Sequence, residues 1–201
     1  MADRIIRQLI ALELIDGEEE DIYRFGLEVL SLKVLHYASY LLIAAFLHEI
    51  PCFFILVFAF ILLRKSAGGY HAKTKSGCYV GSCVTVLIMI LCIKEFSVLA
   101  PWQITLGSIL IMLAGDTIIW KTAPSGNRSR IFDETEERIF KHRTRIVLIF
   151  ETLAVSVIIA AGKEVYAIPI VLAIGCEMVL LLLEKLRKGS HEIEQEINYP
   201  N

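Results

Sequence analysis

The sequence predicts an all-α fold: a polytopic membrane bundle of about six transmembrane helices, with an amphipathic helix at the N-terminus. Three observations carry this prediction. Hydrophobic residues make up 56% of the 201 positions, above the about 45–50% usual for soluble domains, and the mean hydropathy is +0.62. Apolar runs approaching the ~20 residues needed to span a bilayer recur along the chain. Positive charge collects in alternate connections between those runs. The formal net charge of −2 decides nothing by itself. The length suits one domain, residues 1–201.

The elements follow in order. Residues 1–24 read as an amphipathic helix lying on the membrane, with Ile5, Ile6, Leu9, Ile10 and Leu12 on one side. Glu13 interrupts that face. The acidic run from Glu18 to Asp21 argues against a cleavable signal peptide. Six spans are predicted: Leu27–Leu47, Ile50–Leu63, Cys78–Ile93, Trp102–Trp120, Ile146–Ala161 and Val165–Leu186. The second is short, which suits a thinned, tilted or partly re-entrant segment. Pro51 and Pro101 suit the first turns of their helices. A charged helix is expected across "DETEERIFKHRTR", leading into the fifth span. The polar tail, residues 187–201, is expected to be mobile at its end.

Charge placement sets the orientation. Arg64, Lys65, Lys73 and Lys75 fall in one loop. Lys121, Arg128, Arg130, Arg138, Lys141, Arg143 and Arg145 fall in another, and Lys185, Arg187 and Lys188 follow the last span. The alternate loops hold only Lys94 and Lys163. The positive-inside rule then puts both termini and all three basic segments in the cytoplasm.

The five cysteines are Cys52, Cys78, Cys83, Cys92 and Cys176. Their odd number and irregular spacing argue against a disulfide framework, and no spacing suggests a zinc site. Cys52, Cys92 and Cys176 lie in apolar runs and read as inert small hydrophobes. Cys83 falls inside such a run too, where a thiolate is costly, and reads as packing.

The stretch "RKSAGGYHAKTKSGC" is different. It places His71 and Cys78 in a cytoplasmic loop, where thiols stay reduced. In an unbroken helix the pair would lie about 10.5 Å apart along the axis. A histidine that activates a thiol must come within hydrogen-bond reach. Either the pair is no dyad, or the chain bends between them. Thr74, Ser76 and Gly77 are turn and cap residues and favour a bend. Cys78 would then occupy the first turn of a helix, where unpaired N–H groups and the helix dipole favour an anion. Arg64, Lys73 and Lys75 add positive potential and favour the thiolate. Gly68 and Gly69 permit close backbone approach, or simply end the preceding helix.

These residues resemble the signature of the accessory gene regulator B (AgrB) family of membrane endopeptidases. Arg64, Gly69, His71, Ala72 and Cys78 fit its first motif in order. Ala123, Pro124, Asn127 and Arg128 in "APSGNR" match a second. The resemblance covers nearly the whole chain. It implies a cell-membrane enzyme of bacterial quorum sensing that cuts an AgrD-type propeptide ahead of an acidic C-terminal tail. The peptide remains on the enzyme as a thioester, and ring closure then gives the precursor of an autoinducing peptide. It implies Cys78 as nucleophile, His71 as general base and acid, and a homodimer. Arg64, Gly69, Lys73 and Lys75 are the expected substrate-binding residues.

Support for the site is expected from backbone N–H groups near Cys78 as oxyanion donors. Asp116 is a candidate to orient His71, or else a structural partner of Arg145 or Lys121. Glu177, in the middle of the sixth span, is expected to be protonated or paired at a protomer interface. Glu28, Lys33 and His36 are expected to snorkel or line a polar seam. No cofactor, metal or nucleic-acid partner is expected. The rival reading is a non-enzymatic transporter or export partner, with Glu28, Lys33, Asp116 and Glu177 as polar positions within the spans.

Overall fold

The computed structural model describes residues 2–12, 15–70, 72, 74–126 and 133–198. They form seven α-helices: α1 (Ala2–Ala11), α2 (Glu20–Phe46), α3 (Ile50–Ala67), α4 (Lys75–Ser97), α5 (Pro101–Thr122), α6 (Glu134–Ala160) and α7 (Ile168–Asn198). Single 3-10 turns lie at Gly17–Glu19 and Glu164–Tyr166. The all-α, polytopic class is the one observed. Among the described residues, five segments are long and apolar enough to cross a membrane: α2, α3, α4, α5 and Glu164–Gly189.

Local chemistry sets the helix boundaries. Pro51 and Pro101 stand in the first turns of α3 and α5, where a missing N–H costs nothing. Asp133 caps α6 by accepting the Glu136 N–H at 2.7 Å. α3 runs for 18 residues, about 27 Å, because it continues through Arg64 and Lys65 to Ala67. It therefore needs no thinning or re-entrant turn. The charged segment from Glu134 is continuous with the apolar half of α6. That helix carries Arg143, Arg145 and Glu151 and falls outside the set of span-competent segments. At the N-terminus, α1 ends at Ala11 and residues 20–24 belong to α2. Ile6 is the buried anchor of α1, while Leu12 is exposed. At the other end, α7 continues as helix well into the polar tail, to Asn198.

The bundle is organised around α7, which packs chiefly on α3 and α5. Leu56, Leu63 and Ala67 of α3, Ile119 of α5, Val155 of α6 and Ala173, Ile174 and Leu181 of α7 form its core. Lipid tails are as apolar as leucine, so close packing rather than water release holds such helices together. Gly115 shows this: a Cβ there would lie 2.6 Å from Cγ2 of Ile174. A second, smaller cluster of Ala44, Phe53 and Ile90 joins α2, α3 and α4. Apolar side chains such as Phe46, Phe58, Leu110 and Val157 cover the outside, as a lipid-facing surface requires.

Candidate active site

The turn after α3 is built by backbone contacts. Gly68 and Gly69 have φ of 77° and 110°, conformations that side chains rarely adopt. A Cβ on Gly68 would strike the Ser125 carbonyl oxygen, and one on Gly69 the Arg64 guanidinium. The loop after α5 pairs with this turn. The Ser125 N–H donates to the Ala67 carbonyl at 2.8 Å, and the Gly69 N–H donates to the Ser125 carbonyl at 3.4 Å. The two motif-bearing segments, far apart in sequence, therefore meet here.

Arg64 closes the turn. It folds back from the last turn of α3, and its two terminal nitrogens donate to the carbonyls of Gly68 and Tyr70. Nη1 also lies 3.5 Å from Oε1 of Glu177 on α7. The Tyr70 N–H donates to the Leu180 carbonyl of α7 at 3.2 Å. The Arg187 guanidinium lies 5.2 Å from the centre of the Tyr70 ring. Arg64 is thus engaged in shaping the loop, and Glu177 finds a partner in Arg64 of the same chain.

Beyond the turn, Thr74 starts α4. Its Oγ1 accepts the Gly77 N–H at 3.0 Å and its carbonyl accepts the Cys78 N–H at 2.9 Å. The helix begins at Lys75, so Cys78 is its fourth residue, half-buried at the end of the first turn. Its own N–H is committed to the helix. An oxyanion donor must therefore be another group. His71 and Lys73 lie outside the described residues, as do Asn127 and Arg128. The described residues on either side of position 71 are non-helical.

On the α2 side, the Tyr40 hydroxyl lies near Ser82, Cys83 and Cys78. Ser39 and Tyr79 share a hydrogen bond of 2.7 Å. His36 donates from Nδ1 to the Leu32 carbonyl at 2.7 Å and meets the Tyr79 ring edge-on at 5.0 Å. Lys75, an expected substrate contact, is paired with Glu28. Both are exposed, so the pair contributes little to stability.

Asp116 is engaged by α6 rather than by a cation among the described residues, and its expected alternative partner His71 lies outside them. Its Oδ2 accepts from Thr152 of α6 at 2.9 Å, and its Oδ1 has no partner among the described residues. Arg145 instead stacks over Trp120, 4.4 Å from the ring centre. Two acids escaped the reading of the sequence. Glu151 and Glu184 are 2% and 1% exposed; Glu184 pairs with Arg187 at 2.8 Å. The signal for Glu151 was present: a lone carboxylate inside an apolar run, which is rare and costly in a membrane.

A helical bundle of span-competent segments, with a glycine turn leading into a capped, thiol-bearing helix, defines a polytopic membrane protein with a cysteine beside an interhelical loop. The family model described as AgrB, accessory gene regulator B, matches residues 1–181. The chain belongs to the accessory gene regulator B family. That membership carries the role of processing an AgrD-type propeptide in quorum sensing. No curated protein and no solved structure matches the chain.

Proposed function

We propose that the chain is a membrane cysteine endopeptidase that removes the C-terminal tail of its propeptide and promotes cyclisation of the remainder. Cys78 Sγ attacks the carbonyl at the junction with the tail. His71 takes the thiol proton and delivers it to the leaving amine. The peptide stays on Cys78 as a thioester. A Cys or Ser within the peptide then attacks that thioester, passes its proton to His71, expels the Cys78 thiolate and closes the ring. With Cys as the attacker this is a thioester exchange that conserves the acyl group's activation, and with Ser it runs downhill to an ester, provided water is kept away. Lys73 and Lys75 supply positive potential to an acidic tail, while Arg64 and Gly69 shape the loop. The site faces the cytoplasm in a homodimer.

The observation that supports this reading is the break between α3 and α4. Gly68, Gly69, Tyr70, Ala72 and Thr74 are non-helical, and Cys78 follows within one turn of the Thr74 cap. Tyr70, Ala72 and Thr74 belong to no helix, which favours a bent approach to Cys78 over one straight rod. The test uses the full chain in proteoliposomes with its propeptide. Cys78→Ala and His71→Ala should each abolish tail release, while Cys83→Ala retains it. Release by both inserted variants would overturn the reading. A second reading, a non-enzymatic export partner, draws on the half-buried Asp116 and the buried Glu151 and Glu177. It expects peptide transport to survive Cys78→Ala.

A further inference from the structure

We infer that Glu177 is a positioning residue for the Cys78 reaction: it holds Arg64, and through Arg64 the Gly68–Tyr70 turn, against α7. The kinetic part of this inference rests on the endopeptidase reading above; the structural part stands on the contacts alone.

Glu177 is fully buried in α7, at 0% exposure. A carboxylate at such a position is costly and needs a partner. Its Oε1 faces Arg64 Nη1 at 3.5 Å. Arg64 is itself largely buried, with a side-chain exposure of 17%. The guanidinium has donors to spare for a planar fork, and it spends them on the carbonyls of Gly68 and Tyr70. The same helix takes the Tyr70 N–H one turn further on, at Leu180. α7 is therefore the surface on which the turn is moulded.

Removing the carboxylate changes the balance for Arg64. A largely buried cation without its anion is strongly disfavoured. Its long side chain can escape by swinging to the membrane surface. The carbonyls of Gly68 and Tyr70 then lose their shared donor. The turn leads directly to position 71, so its drift displaces the expected base from Cys78. A displacement of about 1 Å at a reacting pair costs on the order of 100-fold in rate.

The test combines amide hydrogen exchange with kinetics on the full chain in proteoliposomes. Glu177→Gln should speed exchange at the Gly69 and Tyr70 amides. It should lower kcat for tail release by roughly 10- to 100-fold with KM within about twofold, because orientation rather than binding is lost. Glu177 acts through Arg64, so Arg64→Gln with Glu177→Gln should be no slower than Arg64→Gln alone. Unchanged exchange in Glu177→Gln, or losses that multiply in the double variant, would overturn the inference. Should Glu177→Gln fail to insert, Arg64→Lys decides. It keeps a cation for Glu177 but cannot fork onto two carbonyls, and it should show the same faster exchange and lower kcat. Unchanged exchange there also overturns the inference. Tail release by Cys78→Ala would remove the endopeptidase reading and leave the exchange result to stand by itself.

Discussion

One threonine decides where the thiol-bearing helix starts. Thr74 satisfies the Gly77 N–H with its hydroxyl and the Cys78 N–H with its carbonyl. Thr74→Ala should cost about 1 kcal/mol, the usual value of an N-cap, and lower tail release, whereas Thr74→Ser should retain both. Thermal unfolding in detergent and a cleavage assay check this. Two glycines give a sharper contrast. Gly68 combines a φ of 77° with the Ser125 carbonyl where its Cβ would go. Gly68→Ala should therefore destabilise the protein and suppress cleavage. Gly81 sits in the exposed interior of α4 with nothing within 4 Å of a Cβ. Gly81→Ala should stabilise by roughly 0.5–1 kcal/mol, since alanine loses less freedom in a helix. A lower unfolding midpoint for Gly81→Ala than for Gly68→Ala would contradict both arguments.

Among the elements, Gly115 brings α5 close against α7. Gly115→Val would push a branched side chain into Ile174 and should cost about 1–3 kcal/mol, the usual range for overpacking. Leu113, two residues earlier and 64% exposed, faces outward. Leu113→Ala should change the unfolding midpoint far less. Equal losses in the two variants would mean that the interface is looser than Gly115 implies. α2 stands at the other extreme. Only 6% of its most apolar window is buried, against 50% for the last span. Its apolar face is left to lipid or to another chain.

Across the whole molecule, the apolar runs made the helical class legible because spanning helices need length and little charge. Boundaries were less legible. Ala67 ends α3 rather than Leu63, because basic residues at the end of a span stay helical with their heads at the interface. The charged start of α6 was legible from "DETEERIFKHRTR", where Asp133 caps the helix, but a hydropathy profile alone does not register it. In the candidate site, Cys78 and the cap at Thr74 were visible as residue types in a short stretch. The role of Arg64 was not. Its partners are two carbonyls and a carboxylate on α7 (backbone acceptors carry no side-chain signal, and Glu177 is far along the chain). Asp116 was placed beside Arg145 or Lys121 by its depth, yet on α6 it meets Thr152, because depth alone does not fix which side chain it reaches. The pairing of Ser125 with Ala67 and Gly69 was equally invisible, being entirely a matter of backbone.

That pairing makes two distant turns a single mechanical part. Ser125 exchanges its amide and carbonyl with the chain on either side of Gly68. Lengthening either turn by one residue would slip the register of both. The shape of the turn after α3 is thus set in part by a loop far along the chain.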